Sequence, residues 1–313
     1  MRAARLHGIR DLRVEDVPVP DPGPGELLVR VEGCGVCPTD VRKWAIGLND
    51  GEYPFNPGHE WVGRVAAVGP DTSGWDIGRR VYGDTYAGYA EYALLPTTAG
   101  RWSHGPLALP DDLSLERAVF VEPFADCLHA VRDQARVAAG DRVVVVGGGQ
   151  MGQQLVVAAK AAGGRVVLIE PLEARRALAL ELGADWAAAE LAGADAGAQA
   201  VILSIGAAAL VQPALELVAP GGRVVLFAGF GDEPRATVDL NRIHYEEIAL
   251  VGSEWIGTPP NTRRERYTEA LDLLASGTAP LERLVTGRCS FDELEQVFAD
   301  VQALRRLKTI LVP

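Results

Sequence analysis

Two short segments near the start of the chain bring together side chains that can bind a metal and move protons. Cys37 precedes a hydroxyl (Thr39) and a carboxylate (Asp40), and His59 is followed directly by Glu60. Zinc prefers sulfur and nitrogen ligands, and a catalytic zinc uses three protein ligands and leaves one position open. Both segments are rich in glycine and proline, so we expect loops there. The pattern predicts a metal site, although a buried cysteine and a hydrogen-bonded surface histidine would give the same residues.

A redox pair is another interpretation of this region, because Cys34 and Cys37 form a C-x-x-C. No second cysteine pair follows to complete a four-thiolate zinc site, and no thioredoxin-like strand and helix surround the motif. The chain has only four cysteines, so we expect no disulfide framework and a reducing compartment, the cytoplasm. The N-terminal residues lack the apolar run of a signal peptide.

A glycine turn further along the chain has the spacing of a dinucleotide site. Gly147, Gly149 and Gly152 form G-x-G-x-x-G between a strand predicted over 142–146 and a helix predicted over 153–162. Glycines allow the backbone to approach a pyrophosphate, whose charge is favoured at the helix N-terminus. The same turn could serve only to close a strand-to-helix connection. The flanking elements and the acidic residue that follows favour nucleotide binding.

That acidic residue, Glu170, stands at the end of the next predicted strand. It can accept both ribose hydroxyls and would repel a 2′-phosphate, which predicts NAD rather than NADP. Arg175 and Arg176 weaken this preference, unless they lie solvated on the following helix. The predicted cofactor-binding residues are Gly147, Gly149, Gln150, Met151, Gly152, Glu170 and Arg175.

Length and charge limit the classes of protein to consider. A chain of 313 residues, of which 48% are hydrophobic, fits two globular domains. The formal net charge of −12 argues against a nucleic acid or an anionic membrane as partner, because both would repel the chain. The apolar region 196–231 is interrupted by polar residues, proline and glycine, so we do not expect a membrane span there.

The predicted elements change character along the chain. Residues 1 to about 120 contain short Val-rich runs separated by proline and glycine, which is typical of an all-β domain. From about residue 115, helical segments alternate with apolar strands, which predicts a parallel, doubly wound sheet in an α/β fold. We predict a discontinuous β-rich domain over residues 1–122 and 258–313, and a nucleotide-binding domain over residues 123–257.

The chain resembles the medium-chain dehydrogenase/reductase superfamily, in its zinc-containing alcohol and polyol dehydrogenase branch, over nearly its whole length. The resemblance depends on three motifs, in this order: Gly35 to Asp40, Gly58-His59-Glu60-Trp61-Val62-Gly63 followed by Gly69, and the turn Gly147 to Gly152. It implies a GroES-like catalytic domain and a Rossmann domain. It also implies hydride transfer between NAD and a secondary alcohol, such as a polyol, a cyclitol or a sugar-derived hydroxyl.

The resemblance further implies the metal ligands. These would be Cys37, His59 and Glu122, the last from the segment Val121-Glu122-Pro123-Phe124. Glu60 would approach the metal when water or substrate exchanges. Glu122 could also be an ordinary carboxylate at the start of a helix.

Proton transfer is implied for Thr39, and Asp40 would orient His59. Two departures from the family stand out. Arg42 occupies the position where the family often has a histidine at the end of the proton path, and arginine is no base near neutral pH. The insertion with four cysteines that binds a structural zinc in many relatives is missing after Tyr86, so we expect one zinc per subunit.

Substrate identity stays open. The aromatic side chains that could line a pocket, or simply fill the core, are Trp44, Tyr53, Trp61, Tyr86 and Trp255. Arg42 and Arg101 could instead meet an anionic or hydroxylated substrate. The family implies a homodimer or homotetramer through residues 251–255. We expect His129 to be structural, and we place His7, His104 and His244 at the surface.

Two other functions remain as alternatives. One is a zinc-free, NADPH-dependent quinone or enoyl reductase of the same superfamily, whose members lack the cysteine, histidine and glutamate set. The other is a sensor that binds nucleotide and metal without turnover.

Overall fold

The computed structural model describes residues 1–48, 51–100, 105–231, 234–255 and 257–313, so Arg101 and His104 lie outside the described residues. The strands are β1 (Arg2–Gly8), β2 (Asp11–Asp16), β3 (Glu26–Gly35), β4 (Glu60–Val68), β5 (Arg80–Gly83), β6 (Tyr92–Pro96), β7 (Leu107–Ala108), β8 (Arg142–Val146), β9 (Arg165–Ile169), β10 (Trp186–Ala188), β11 (Ala198–Leu203), β12 (Val218–Leu226), β13 (Ala249–Gly252), β14 (Val285–Cys289) and β15 (Lys308–Leu311). The helices are α1 (Pro38–Ile46), α2 (Leu115–Ala118), α3 (Val121–His129), α4 (Gln150–Ala161), α5 (Glu173–Glu181), α6 (Val211–Leu217), α7 (Leu240–Tyr245), α8 (Pro260–Ala275) and α9 (Leu294–Gln302).

The first compact unit combines Met1–Glu122 with Tyr267–Pro313. Its main sheet has the order β14-β15-β3-β4-β5-β7, and β6 also pairs with β3. The final strand, β15, runs antiparallel to β3 and places Ile310 opposite Gly35. The end of the chain thereby lies beside the residues that lead into the Cys37 segment.

That segment folds as a helix, and the loop expected from its glycine and proline content is wrong for Thr39 and Asp40. α1 begins at Pro38, whose fixed φ suits a first turn and whose missing N–H would be unpaired there in any case. Cys37 precedes the helix in an extended conformation, with φ −95° and ψ 139°. The all-β prediction for residues 1 to about 120 misses this helix. The glycine and proline residues around it indicate loops, and the apolar face of so short a helix, which includes Val41, is too small to stand out in the sequence.

The second unit, Pro123–Arg266, contains a six-stranded parallel sheet of order β10-β9-β8-β11-β12-β13. Two inner strands, β8 and β11, end in continuous apolar runs, Val143 to Val146 and Ala200 to Leu203, as expected of strands covered on both faces. The strand order changes direction between β8 and β11, which is where ligands bind in open α/β sheets. The predicted α/β fold, with a β-rich domain and a parallel-sheet domain, is confirmed.

The boundary between the two units differs from the predicted one. We placed residues 258–266 with the β-rich domain, whereas they pack with the second unit. The reason is that α8 runs from Pro260 to Ala275 and therefore spans the change of unit near Tyr267. In the part of the chain that the structure describes, no helix is long and apolar enough to cross a membrane.

Candidate functional site

Three of the predicted metal-binding side chains meet in the first unit. The sulfur of Cys37, a ring nitrogen of His59 and a carboxylate oxygen of Glu60 all lie within 4.8 Å of one another. Cys37 is the residue before α1, and His59 comes just before β4, which begins at Glu60. The antiparallel pairing of β3 with β4 sets Glu60 opposite Gly35, and this register brings the two segments together.

Asp40 lies behind the histidine. Its Oδ2 is 3.4 Å from Nδ1 of His59, and the hydroxyl of Tyr89 donates to the same oxygen at 3.0 Å. Burial lowers the pKa of His59, but the charge of Asp40 and the interactions of the ring with Asp40 and Cys37 outweigh it and hold the pKa well above its ordinary value. The electrostatic environment therefore favours a positive charge at this position, whether a proton or a metal ion.

A residue that the sequence analysis missed completes the cluster. The ammonium of Lys308 donates to Oε2 of Glu60, and both side chains are fully buried. A Cβ at position 35 would collide with the Glu60 carboxylate, so only glycine leaves room for the pair. No local signal in the sequence links Lys308 to Glu60, because the contact depends on the pairing of β15 with β3.

Glu122 is placed differently from the other predicted ligands. It lies in the first turn of α3, partly buried, and it is not a member of the 4.8 Å group. Burial raises the pKa of its carboxyl to about 8; the charge of His59 opposes this shift and that of Glu60 adds to it. Burial and the charge of Glu60 likewise raise the pKa of the Cys37 thiol. Two acidic groups thus hold protons that a metal ion would displace.

An aromatic wall borders the cluster. The ring of Tyr86 packs edge-on against His59, with centroids 5.2 Å apart, and against Phe55 at 4.9 Å. Burial raises the pKa of Tyr86 to about 12, so its hydroxyl is neutral at physiological pH. Lys43 of α1 extends its ammonium over both rings. Thr39, one helical turn before Lys43, is exposed.

The remaining pocket candidates separate into two groups. Trp44, Trp61 and Trp255 are at most 7% exposed and belong to the core, whereas Tyr53 and Tyr86 are about 40% exposed. Arg42 points to solvent on α1 and has no ion-pair partner among the described residues. Among the described residues, no ion pair connects Arg42 to the proposed proton path, so the position of the missing histidine is not filled by an equivalent group.

The glycine turn in the second unit has the geometry that nucleotide binding requires. Gly147 has a φ of +99°, and a Cβ at Gly152 would collide with the Gly147 carbonyl. A Cβ at Gly149 would meet nothing within 4 Å, so the backbone is open to a ligand there. α4 begins directly afterwards at Gln150, with the N–H groups of its first turn free of helical partners.

Glu170 closes this turn from the neighbouring strand. It is 3% exposed, and its carboxylate accepts hydrogen bonds from the backbone N–H of Gly148 at 2.7 Å and of Leu172 at 3.0 Å. The side-chain amide of Gln153 donates to the Gly148 carbonyl at 3.1 Å and to the Arg175 carbonyl at 2.8 Å. The N–H and the carbonyl of Gly148 are therefore both hydrogen-bonded, to Glu170 and to Gln153. Arg175 joins this network through its backbone carbonyl.

Gln150 and Met151, the other two predicted cofactor residues, form the first turn of α4. Gln150 is 4% exposed, and neither polar atom of its side chain has a hydrogen-bond partner among the described residues. The Met151 carbonyl accepts from the thiol of Cys127. At the N-terminus of α4 these two residues can offer their backbone N–H groups to a ligand.

His129, which we expect to be structural, is buried in a network of its own. Its Nδ1 is 2.8 Å from Asp133, and its ring stacks on Trp255 with centroids 4.5 Å apart. Thr258 lies 3.2 Å from Nε2. The network ties α3 to the segment before α8 inside the second unit.

Two family models match the chain: an alcohol dehydrogenase GroES-like domain over residues 23–105, and a zinc-binding dehydrogenase domain over residues 150–276. Sorbitol dehydrogenase from Macaca fascicularis is 30% identical over 345 residues, which cover 98% of this chain and 94% of the relative. The chain belongs to the zinc-containing branch of the medium-chain dehydrogenase/reductase superfamily. The resemblance predicted from the motifs is confirmed.

Two further comparisons extend this result. The (R,R)-butanediol dehydrogenase of Bacillus subtilis (strain 168) is 28% identical over 334 residues, with 94% of each chain covered. A solved structure of a zinc-binding dehydrogenase from Sinorhizobium meliloti 1021, bound to NADP, superimposes with a TM-score of 0.89 at 27% identity, covering 100% of this chain and 99% of that chain. Family membership therefore indicates zinc and a nicotinamide nucleotide as cofactors, without deciding between NAD and NADP.

Proposed function

We propose that this protein is a zinc-dependent, NAD-dependent dehydrogenase that interconverts a secondary alcohol and its ketone. The observation that carries the proposal is the cluster of Cys37, His59 and Glu60 within 4.8 Å, in a chain that belongs to the zinc-containing family. A thiol, an imidazole and carboxylates form a donor set that suits zinc. The buried Oε1 of Glu60 has no hydrogen-bond partner among the described residues, which also fits a cation nearby.

In this proposal Cys37 and His59 would hold the metal together with a carboxylate, either Glu60, which lies within 4.8 Å of both, or Glu122, which the family resemblance implies. The metal would supply Lewis acidity to the substrate oxygen. Asp40 would orient His59 by accepting a hydrogen bond from the Nδ1–H of the ring, 3.4 Å away. The exposed hydroxyl of Thr39 accepts the proton from the substrate and passes it to water. Lys308 donates to Glu60 and holds this carboxylate beside Cys37 and His59, where it would be available to the metal.

NAD is the proposed cofactor because of Glu170. Its buried carboxylate stands at the end of β9 and holds the N–H of Gly148, so a nucleotide bound to the turn would meet a negative charge. Such a charge accepts ribose hydroxyls and repels a 2′-phosphate. The Arg176 guanidinium donates to the carbonyls of Glu170 and Pro171, and these hydrogen bonds hold it against the backbone.

We also propose a homo-oligomer formed through β13. This strand is an edge of the parallel sheet in the described chain, and Leu250 on it is 37% exposed. A free strand edge with an apolar side chain is a ready site for pairing with a second copy.

The experiment compares two buried cysteines three positions apart. Cys37→Ser is expected to bind less zinc after dialysis and to lose most NADH formation with a polyol panel, because the thiolate ligand is gone. Cys34→Ser is the matched control, since Cys34 is also buried but lies outside the 4.8 Å group. Equal zinc content and turnover in Cys37→Ser and the parent would overturn the proposal. Zinc and nucleotide binding without turnover of any alcohol would favour a sensor.

A further inference from the structure

Lys43 differs from the other lysines of the protein. The chain has only three lysines. Lys160 pairs with Asp185 at 2.8 Å, and Lys308 pairs with Glu60 inside the core. The ammonium of Lys43 has no carboxylate partner among the described residues, although the protein carries 42 acidic side chains against 30 basic ones. A cation that pairs with no carboxylate of the described residues is available to an external anion.

The position of this cation is fixed by aromatic rings. Its Nζ lies 5.5 Å from the ring centroid of Phe55 and 5.5 Å from that of Tyr86, within the range of cation–π attraction. The two rings contact each other, and Tyr86 packs against the imidazole of His59. The ammonium therefore lies one ring away from the candidate metal cluster.

Helix geometry places the same cation next to the proposed proton relay. Thr39 and Lys43 are four residues apart on α1, so their side chains share one face of the helix. Thr39 is exposed and Lys43 is half-buried, which leaves both open to a ligand that approaches this face. A substrate with its hydroxyl near Thr39 would extend its next few atoms past Lys43.

We propose that Lys43 binds an anionic group of the substrate, so that the enzyme acts on a secondary alcohol that also carries a carboxylate or a phosphate. This inference rests on the proposed function, because it assigns a substrate class to the same site. The rings remove part of the water around the ammonium and hold it in place, which strengthens its attraction for an anion. A neutral polyol would leave that charge without a partner.

Matched pairs of substrates test the inference by kinetics. Sorbitol is compared with sorbitol 6-phosphate, and 2,3-butanediol with 3-hydroxybutyrate, so that phosphate and carboxylate are tested separately. Lys43→Met keeps the length of the side chain and removes the charge. We expect it to lower kcat/KM at least about tenfold for the anionic member of a pair and to leave the neutral member unchanged. Arg79→Met, which removes the same charge from an exposed turn, is the control and should change neither.

A second readout needs no turnover. In the zinc-loaded protein, the anionic compound should slow acetylation of Lys43 by acetic anhydride several-fold, as measured by mass spectrometry, whereas sorbitol should not. Lys160 is the internal reference. Unchanged acetylation, or equal losses for both members of each pair in Lys43→Met, would overturn the inference. Protection of Lys43 without oxidation of any alcohol would instead refute the proposed function and leave the anion site standing.

Discussion

The ammonium of Lys308 donates to the carboxylate of Glu60 at a point where both side chains are fully buried. Lys308 opens the last strand of the chain, and Glu60 opens β4 next to the candidate metal cluster. Burying two charges is costly, and their attraction repays the cost only while both partners are present. The end of the chain is therefore coupled energetically to the site.

Lys308→Met should consequently destabilise the protein. It leaves the Glu60 charge buried without a counter-ion, and we expect the free energy of unfolding of the metal-free protein to fall by about 3 kcal/mol. Urea denaturation followed by tryptophan fluorescence measures this change. The double variant with Glu60→Gln should recover most of the loss, because it removes the uncompensated charge. A double variant as unstable as Lys308→Met would show that packing, and not charge, explains the effect.

The stability of the metal-free protein should depend on pH through Glu122. Its pKa is about 8 in the folded chain against an ordinary 4.5, so the folded state binds the extra proton between these values. The contribution of Glu122 to the free energy of unfolding is therefore fully present at the lower end of this window and is lost as the pH rises towards 8. Thermal unfolding across that window should show the decline.

Glu122→Gln provides the control, since glutamine is neutral at every pH. The variant is expected to make the decline shallower, with the share of His59 above pH 6.5 remaining, and to leave the stability at low pH nearly unchanged. A parent protein whose stability rises through the same window would contradict the assignment of the shift to Glu122.

Site residues that belong to one short motif can be predicted from the sequence, whereas contacts between residues far apart in the chain cannot. Cys37, His59 and Glu60 belong to short motifs, and the order of β8, glycine turn and α4 is local, so both could be predicted. The position of Lys308 depends on strand pairing between the two ends of the chain, and no local pattern encodes it.

Two further features of the structure, the helix α1 and the position of Lys43, differ from or go beyond the sequence prediction. The helix after Cys37 was hidden by glycine and proline around it, although Pro38 at its first position is a helix-start signal. The cation over Tyr86 and Phe55 was not foreseen, because Lys43 and these rings come from separate segments. The sequence pattern points instead to its neighbour Arg42, which lies exposed on the same helix.

The choice of cofactor should depend on Glu170. Glu170→Ala removes both the charge that repels a 2′-phosphate and the acceptor for the N–H of Gly148. We expect KM for NAD to rise several-fold and the preference for NAD over NADP to shrink, measured by initial rates with each nucleotide. Glu173→Ala, at an exposed position in the first turn of α5, is the control. An unchanged ratio of kcat/KM for the two nucleotides would rule out Glu170 as the determinant.

Oligomerisation should depend on the edge strand β13. The sheet of the second unit ends at β13 on one side and at β10 on the other, and each edge exposes an apolar side chain, Leu250 and Trp186. If copies pair through β13, Leu250→Lys places a charge in the contact and should shift the oligomer towards monomer in light scattering. Trp186→Lys, on the opposite edge, should leave the mass unchanged. The reverse result would move the contact to β10, and a monomeric parent protein would exclude both edges.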